Sequence, residues 1–268
     1  MGADMSTLSS LISGGSGALF NIPFHANATF TPPFNGTGVI HVIGGGAGAG
    51  GGSAASYRVS GGAGGYCKKA VTFSTGTNWT LTVGAGGAGG TNNALGGQGG
   101  QSKALNGSIT LIANGGGGSG GSQLSNGGTA TGGDVGNTGG TGGTGTTAFN
   151  GGGGAVGVIG TGKTGNLQRG GGSSDIQGPS FSNAYGVLTG GGQGGEAVYA
   201  NLASSALNGG FLAGGGSTQA NSSGGYINAG GAGGIGGGGG HANNNVAAES
   251  RGGYGGNGYI LIQYLTVS

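Results

Sequence analysis

Runs of bare backbone constrain this chain more than any other feature. GGGAGAGGG at 44–52, GAGGAGG at 84–90, GGGGSGG at 115–121, GGGG at 151–154 and GGAGGIGGGGG at 230–240 are separated by variable spacers rich in Asn, Ser, Thr and Ala. Such a run does not hold a helix, because glycine lies about 1 kcal/mol per residue below alanine there. As an isolated strand it is weak, having no side chain to pack. What it offers is close approach of neighbouring chains, with one donor and one acceptor per residue. Collagen uses this property through left-handed chains of three residues per turn, with glycine at the crowded axis. Collagen itself is excluded, since the chain has only 4 prolines and segments such as Tyr66–Val83 break any three-residue period. The expectation is instead a lattice of polyglycine II helices held together by hydrogen bonds between runs.

Energetics say that such a lattice does not stand alone. Glycine loses more freedom on folding than any other residue. Fixing a backbone costs roughly 1–2 kcal/mol, while a net hydrogen bond returns about 0.5–1.5 kcal/mol. Apolar elements have to seal the stack, and the chain carries them at both ends. Disorder fits poorly: disordered chains are charged and poor in aromatic and β-branched residues. Here 33% of the 268 residues are hydrophobic, with 8 Tyr and 8 Phe, against seven Lys or Arg and five Asp or Glu. Alanines within runs (Ala47, Ala49, Ala85, Ala88) are expected at lattice edges facing the apolar layer.

The strand signals are β-branched and aromatic runs bounded by turn residues. Ala28–Thr31 and Val39–Ile43 flank Pro32-Pro33, Lys69–Ser74 and Trp79–Val83 flank Thr75-Gly76-Thr77-Asn78, and Ser108–Ala113 follows. Thr80-Leu81-Thr82-Val83 alternates as a half-buried strand does. The unbroken apolar character of Tyr259–Leu265 predicts a strand buried on both faces between the early strands. The fold class expected is all-β and irregular: a polyglycine II sandwich closed by short strands from both ends of the chain. Residues 1–25 read as an attachment or lead-in segment, with Leu8, Leu11 and Ile12 at helical spacing and Phe20 and Phe24 beyond them. Residues 26–268 read as the glycine-rich domain with variable surface loops.

Several function classes are poorly supplied. A net charge of +2 gives no field for nucleic acid or an anionic membrane, and no run approaches the roughly 20 apolar residues of a membrane span. Arg169 and Arg251 each open a single RGG element, without the aromatic-basic array that would give it meaning. Asp4, Asp134, Asp175, Glu196, Glu249, His25, His41 and His241 are scattered, with no spacing for the convergent ligands of a zinc site. The lone Cys67 forms no internal disulfide and reads as a small half-buried hydrophobe. Repeated G-x-G-x-x-G matches follow from glycine abundance, since that motif carries meaning only between a strand and a helix. No enzyme, cofactor or metal is expected.

Phe30-Thr31-Pro32-Pro33-Phe34-Asn35-Gly36-Thr37-Gly38-Val39-Ile40-His41-Val42-Ile43-Gly44-Gly45-Gly46 resembles the opening of the glycine-rich domain found in many phage tail proteins. Gly64-Gly65-Tyr66 before a strand, the segment Leu81–Gly90, and Gly255-Gly256-Asn257-Gly258-Tyr259-Ile260-Leu261-Ile262-Gln263-Tyr264 extend the likeness over residues 28–264. In texture the chain is similar to the tip adhesins of T-even-type long tail fibres, though with a shorter N-terminal segment. The resemblance implies a virion protein at a tail or fibre tip. Its partners would be a tail or tail-fibre protein and a bacterial surface receptor, either an outer-membrane protein or a polysaccharide.

The receptor contacts expected are polar-aromatic spacers, whose Tyr, Ser, Gly and Asn content suits adaptable binding loops. They are Phe149, Phe181, Asn183, Tyr185, Tyr199, Tyr226, His241 and Asn243. Two other readings stand beside this one: a structural virion protein that spaces or decorates a tail, and an ice-binding or cell-wall protein. The threonines at 138, 141, 144, 146 and 147 form too short a run for the flat array an ice surface needs.

Overall fold

A computed structural model describes residues 19–53, 60–91, 94–118, 125–143, 156–157, 160–165, 198–200, 208–216, 218–220, 228–244 and 250–266. Among them the chain forms strands and no helix: β1 (Leu19–Phe24), β2 (Ala28–Phe30), β3 (Gly36–Ile43), β4 (Gly51–Ser53), β5 (Tyr66–Phe73), β6 (Trp79–Thr82), β7 (Ser102–Asn106), β8 (Ile109–Ala113), β9 (Ala130–Thr131), β10 (Val135–Asn137), β11 (Val198–Ala200), β12 (Thr218–Ala220), β13 (Asn228–Ala229), β14 (Ala242–Asn244), β15 (Ser250–Arg251) and β16 (Tyr259–Thr266). The longer strands make two five-stranded antiparallel sheets, ordered β1-β16-β3-β5-β10 and β2-β6-β7-β8-β9.

The two sheets face one another across an apolar core. Ile40, Val42, Val71, Phe73, Ile260, Ile262 and Tyr264 from the first meet Phe30, Trp79, Leu81, Leu111 and Ala113 from the second. Phe73 sits edge-on to Phe30, Trp79 and Tyr264 at 5.8, 5.6 and 5.2 Å between ring centres. The final strand lies between β1 and β3. It is buried on both faces: Ile260, Ile262 and Tyr264 enter this core, while Tyr259 and Leu261 join a second cluster with Ile43, Tyr66, Val156 and Leu212.

Neither turn flanked by two strand signals is a hairpin. Residues 31–35 carry the chain from β2 in one sheet to β3 in the other, and residues 74–78 carry it back from β5 to β6. The two crossovers bond each other, Thr75 N donating to Asn35 Oδ1 at 2.9 Å and Thr31 Oγ1 to Asn78 Oδ1 at 2.7 Å. Pairing within one sheet would leave Phe30, Phe73 and Trp79 without an opposing layer, so the aromatic core explains the crossing. β1 is the edge strand of the first sheet, so residues 19–24 join the domain that the sequence places at 26–268. Phe20 packs against Tyr264 and Phe24 against Phe30, with ring centres 6.3 and 6.2 Å apart.

Beneath the sandwich, the glycine runs form the expected lattice. Along the run 44–49, successive amides donate to three different neighbours and then repeat. Gly44 and Ala47 bond Gly65 and Gly62, Gly45 and Gly48 bond Gly100 and Gly97, and Gly46 and Ala49 bond Gly256 and Gly253. This is the signature of a helix with three residues per turn. Its carbonyls accept from three further runs, through Gly87 and Gly90, Gly116, and Gly239. The six neighbours also bond one another around the ring, in the order 60–65, 114–118, 96–100, 84–90, 252–258 and 236–240. The central run is therefore saturated on every side.

Close packing explains the composition. A Cβ placed on Gly46 would lie 1.9 Å from the Gly237 carbonyl oxygen, and one on Gly48 would lie 2.0 Å from that of Ala88. Ala85 and Ala88, three residues apart on an outer run, lie at the lattice edge as expected, but they are exposed and do not face the apolar layer. Ala47 and Ala49 differ from the sequence expectation: both are fully buried, because their run is the centre of the ring and not its rim.

Candidate functional site

Alternating run direction gives the molecule two poles. The segment 44–50 leaves β3, 60–65 enters β5, 84–90 leaves β6, and 252–258 enters β16, so the sandwich caps one end of the lattice. At the opposite end, β4 continues the central run and β14 continues the run 236–240. There they pair in parallel within a four-stranded sheet ordered β11-β12-β14-β4. Beside it, β13 and β15 pair as a two-stranded parallel sheet. Stretches 54–59, 92–93, 119–124, 166–197, 221–227 and 245–249 each connect described residues that lie at this far pole. The far ends of β1 and β16 lie at the sandwich pole, where the register partners Leu19 and Leu265 are 62% and 42% exposed.

The sequence-predicted contacts distribute as follows. Tyr199 and Asn243 come together on the four-stranded sheet, where both are register partners of Gln219 on β12. Phe149, Phe181, Asn183, Tyr185 and Tyr226 lie outside the described residues, as do Leu8, Leu11 and Ile12. His241 is not at a loop tip. The run 236–240 passes straight into β14 without a turn, which leaves the imidazole inside the packed bundle, 2% exposed.

The glycine-rich domain family matches residues 24–265, nearly the whole of this lattice and its cap. The chain belongs to that family. No curated protein matches it.

Within the glycine-rich domain, the first sheet carries a polar chain on the face turned away from the aromatic core. Tyr66 OH lies 2.8 Å from His41 Nδ1, His41 Nε2 lies 3.0 Å from Gln263 Oε1, and Gln263 Nε2 donates to Asn21 Oδ1 at 3.1 Å. With the carboxamide so oriented, Nε2 carries the proton and Nδ1 accepts from the tyrosine hydroxyl. Burial is the main reason that His41 titrates below its ordinary range; the Gln263 bond opposes this and the Lys68 charge adds to it. Burial likewise pushes the Tyr66 hydroxyl up. The chain of bonds ties β5, β3, β16 and β1 together across the sheet.

A depressed histidine makes stability depend on pH with a definite sign. Unfolded His41 binds a proton near 6.5, whereas the folded site resists it. The stabilisation is complete above that value and is lost as pH falls from there through the folded pKa. Thermal melts from pH 8 to pH 5 are expected to hold level and then decline below about 6.5, and His41→Gln flattens the decline. An unchanged slope in that variant would remove His41 as its source.

Two further described groups have shifted acid–base behaviour. Cys67 is fully buried, more so than its sequence context implies. Its thiol is pushed up to about 11 by burial and donates to the Ile112 carbonyl at 3.6 Å, so thiolate chemistry at neutral pH is disfavoured. Asp134 accepts from Lys69 Nζ at 2.9 Å and from the Ala70 amide at 2.8 Å, which lowers its pKa and ties β10 to β5. Among the described residues, no three His, Cys, Asp or Glu side chains converge as a metal site would require.

Proposed function

We propose that this protein is an adhesin of a phage tail or tail-fibre tip that binds a receptor on the bacterial surface and performs no catalysis. The observation that carries this reading is the polarity of the domain. Hydrogen-bonded glycine runs with no side chains of their own lead to the far pole, and the stretches 166–197 and 221–227, which carry Phe181, Asn183, Tyr185 and Tyr226, each join described residues at that pole. Scaffold and recognition are thus separated, the arrangement in which variable segments diversify without disturbing a core. The exposed Leu19–Leu265 pair at the other pole suits attachment to a tail or tail-fibre protein, because the two ends act on different partners. A purely decorative virion protein is the competing reading, and adsorption separates the two.

The test uses the full chain, labelled and incubated with a panel of intact bacteria and with their outer-membrane fractions. Saturable adsorption to a subset of strains is expected. It should be competed by unlabelled protein and lost when residues 221–227 are replaced by a Gly-Ser linker of equal length. Absence of adsorption to every strain and fraction would overturn the adhesive reading in favour of decoration.

A further inference from the structure

We infer that the flank of the lattice formed by the outer runs 94–100, 84–91 and 251–258 is a binding face for an extended neutral glycan, centred on Ala88 between Gln98 and Tyr254. It lies outside the stretches that carry the adhesive reading and holds or fails by itself.

The face follows from the three-residue period of the lattice. A run with three residues per turn presents every third side chain on one side. Ala85, Ala88 and Thr91 are exposed on the middle run, and Arg251, Tyr254 and Asn257 on the run beside it. Leu95 and Gln98 are exposed on the run at the other side. Hydrogen bonds set these columns in register. Gly97 N and Gly100 N donate to Ala88 O and Ala85 O, each at 2.7 Å, and Gly252 N and Gly255 N donate to Gly90 O and Gly87 O at 2.8 and 2.9 Å. Both pairings are antiparallel, so Tyr254 falls beside Ala88 and Asn257 beside Ala85, in step with the bridge between Thr91 and Arg251. Alanine is short, which makes the middle run the floor of a trough walled by Gln98 and Tyr254. Of the large apolar side chains exposed among the described residues, Leu95 at 52% and Tyr254 at 64% stand on this face.

Size, shape and chemistry select the occupant. From Ala85 to Thr91 the trough is about 19 Å long, at about 3.1 Å per residue. Three runs about 5 Å apart, the spacing of hydrogen-bonded extended chains, make a face of about 300 Å², against about 800 Å² per partner in a stable protein interface. The face is too small to hold a folded partner by itself, and a single extended polymer fits it. Among the described residues, the main-chain amides of Ala85, Ala88, Gln98 and Tyr254 donate to nothing, whereas the Ala85 and Ala88 carbonyls already accept from Gly100 and Gly97. An extended peptide brings N–H groups of its own to such a floor and meets few acceptors; the hydroxyl and ring oxygens of a sugar meet donors. The Tyr254 ring is an amphipathic plane on which the carbon-bound hydrogens of a sugar stack, and the Gln98 carboxamide adds two donors and an acceptor. Asn257 Oδ1 accepts from Gly86 N at 2.8 Å, which fixes that carboxamide at one end of the trough. Arg251 alone among these exposed positions is charged, so a neutral chain is favoured and salt has little effect on its binding.

The experiment titrates cellohexaose, a neutral and extended sugar chain, into the isotope-labelled full-length protein and follows its amide resonances. Saturable shifts are expected at Ala88, Gln98 and Tyr254, insensitive to salt, while Val42 and Ile262 in the sandwich core stay still. Maltohexaose, which coils, should bind more weakly. Tyr254→Ala and Gln98→Ala are each expected to weaken binding by about tenfold, the scale of one lost anchoring side chain. Their melting temperatures should not change, since both side chains are exposed. Tyr254→Phe keeps the ring and most of the affinity. Shifts confined to the stretches at the far pole, or no shift at saturating sugar, would overturn the inference. So would binding that survives the loss of both Tyr254 and Gln98. Binding by a protein that adsorbs to no bacterium would uphold this face while the adhesive reading falls.

Discussion

Gly46→Ala is expected to destabilise the protein by more than about 4 kcal/mol, beyond the range of ordinary substitutions, or to prevent soluble accumulation. The Gly46 amide donates to Gly256 O at 2.8 Å, and its carbonyl accepts from Gly87 N at 2.8 Å. An added methyl would sit 1.9 Å from Gly237 O and 2.4 Å from Gly237 C. The neighbouring run would have to retreat by about 1 Å to bring that contact to the 3.0 Å below which real Cβ atoms are essentially never found. It cannot do so freely, because Gly237 O also accepts from Gly256 N at 2.9 Å and the ring of six neighbours is closed. Each buried amide or carbonyl left unpaired costs about 1–3 kcal/mol, so displacing one run uncouples several bonds at once. Gly160→Ala is the control. No atom lies within 4 Å of its added Cβ, and its φ falls outside the left-handed range. A neutral or slightly stabilising effect is expected there, up to about 1 kcal/mol, through a less free unfolded chain. Denaturant melts of the two variants decide the matter: a Gly46→Ala midpoint close to wild type would mean that the runs pack more loosely than these distances require.

Legibility in the sequence followed side-chain chemistry. Strands with strong apolar alternation, such as Trp79–Thr82 and Tyr259–Thr266, announce themselves because burial on one face or both leaves a period. The burial of the last strand on both faces, between other strands, was readable for the same reason, since only burial on both faces accommodates Tyr259, Ile260, Leu261 and Ile262 in succession; that β1 is one of its neighbours was not, because residues 19–24 read as part of a lead-in segment. Ser102–Asn106 carried little such signal, since its register is set by pairing with β6 and β8 more than by its own side chains. The lattice was legible as a type, because glycine runs have few alternatives, but its order was not. Every run presents the same backbone, so nothing local says that 44–50 lies at the centre and 84–90 at the rim, and the alanines were misassigned for that reason. At the far pole, Tyr199 and Asn243 could be nominated by composition. Their alignment through Gln219 depends on parallel pairing between segments far apart in sequence, which composition does not encode. His241 was misplaced because a polar residue after glycines reads as a turn, whereas here the run continues into β14.

Phe73→Ala is expected to unfold the lattice together with the sandwich. Phe73 is 1% exposed and touches three rings, Phe30, Trp79 and Tyr264. Truncating a buried phenylalanine costs about 3–5 kcal/mol, and its edge-on ring pairs add about 0.5–1.5 kcal/mol each. That is a large share of the roughly 5–15 kcal/mol by which domains are stable. The sharper consequence lies in the glycine runs, which Phe73 does not belong to. Their backbone cost of about 1–2 kcal/mol per residue is at best matched by hydrogen bonds worth about 0.5–1.5 kcal/mol net. The runs stay ordered because the sandwich fixes their ends: Ile43 passes into Gly44, Gly65 into Tyr66, and Gly258 into Tyr259. Hydrogen exchange at increasing denaturant should therefore show the amides of Gly45, Gly48 and Ala49 opening at the same midpoint as those of Val42 and Ile262. In Phe73→Ala both sets shift down together, and Phe73→Leu, which keeps most of the volume, shifts both by less. Lattice amides that stay protected after the strand amides have exchanged would show the runs to be stable by themselves. The apolar cap would then be a separate folding unit, with no part in holding the far pole rigid.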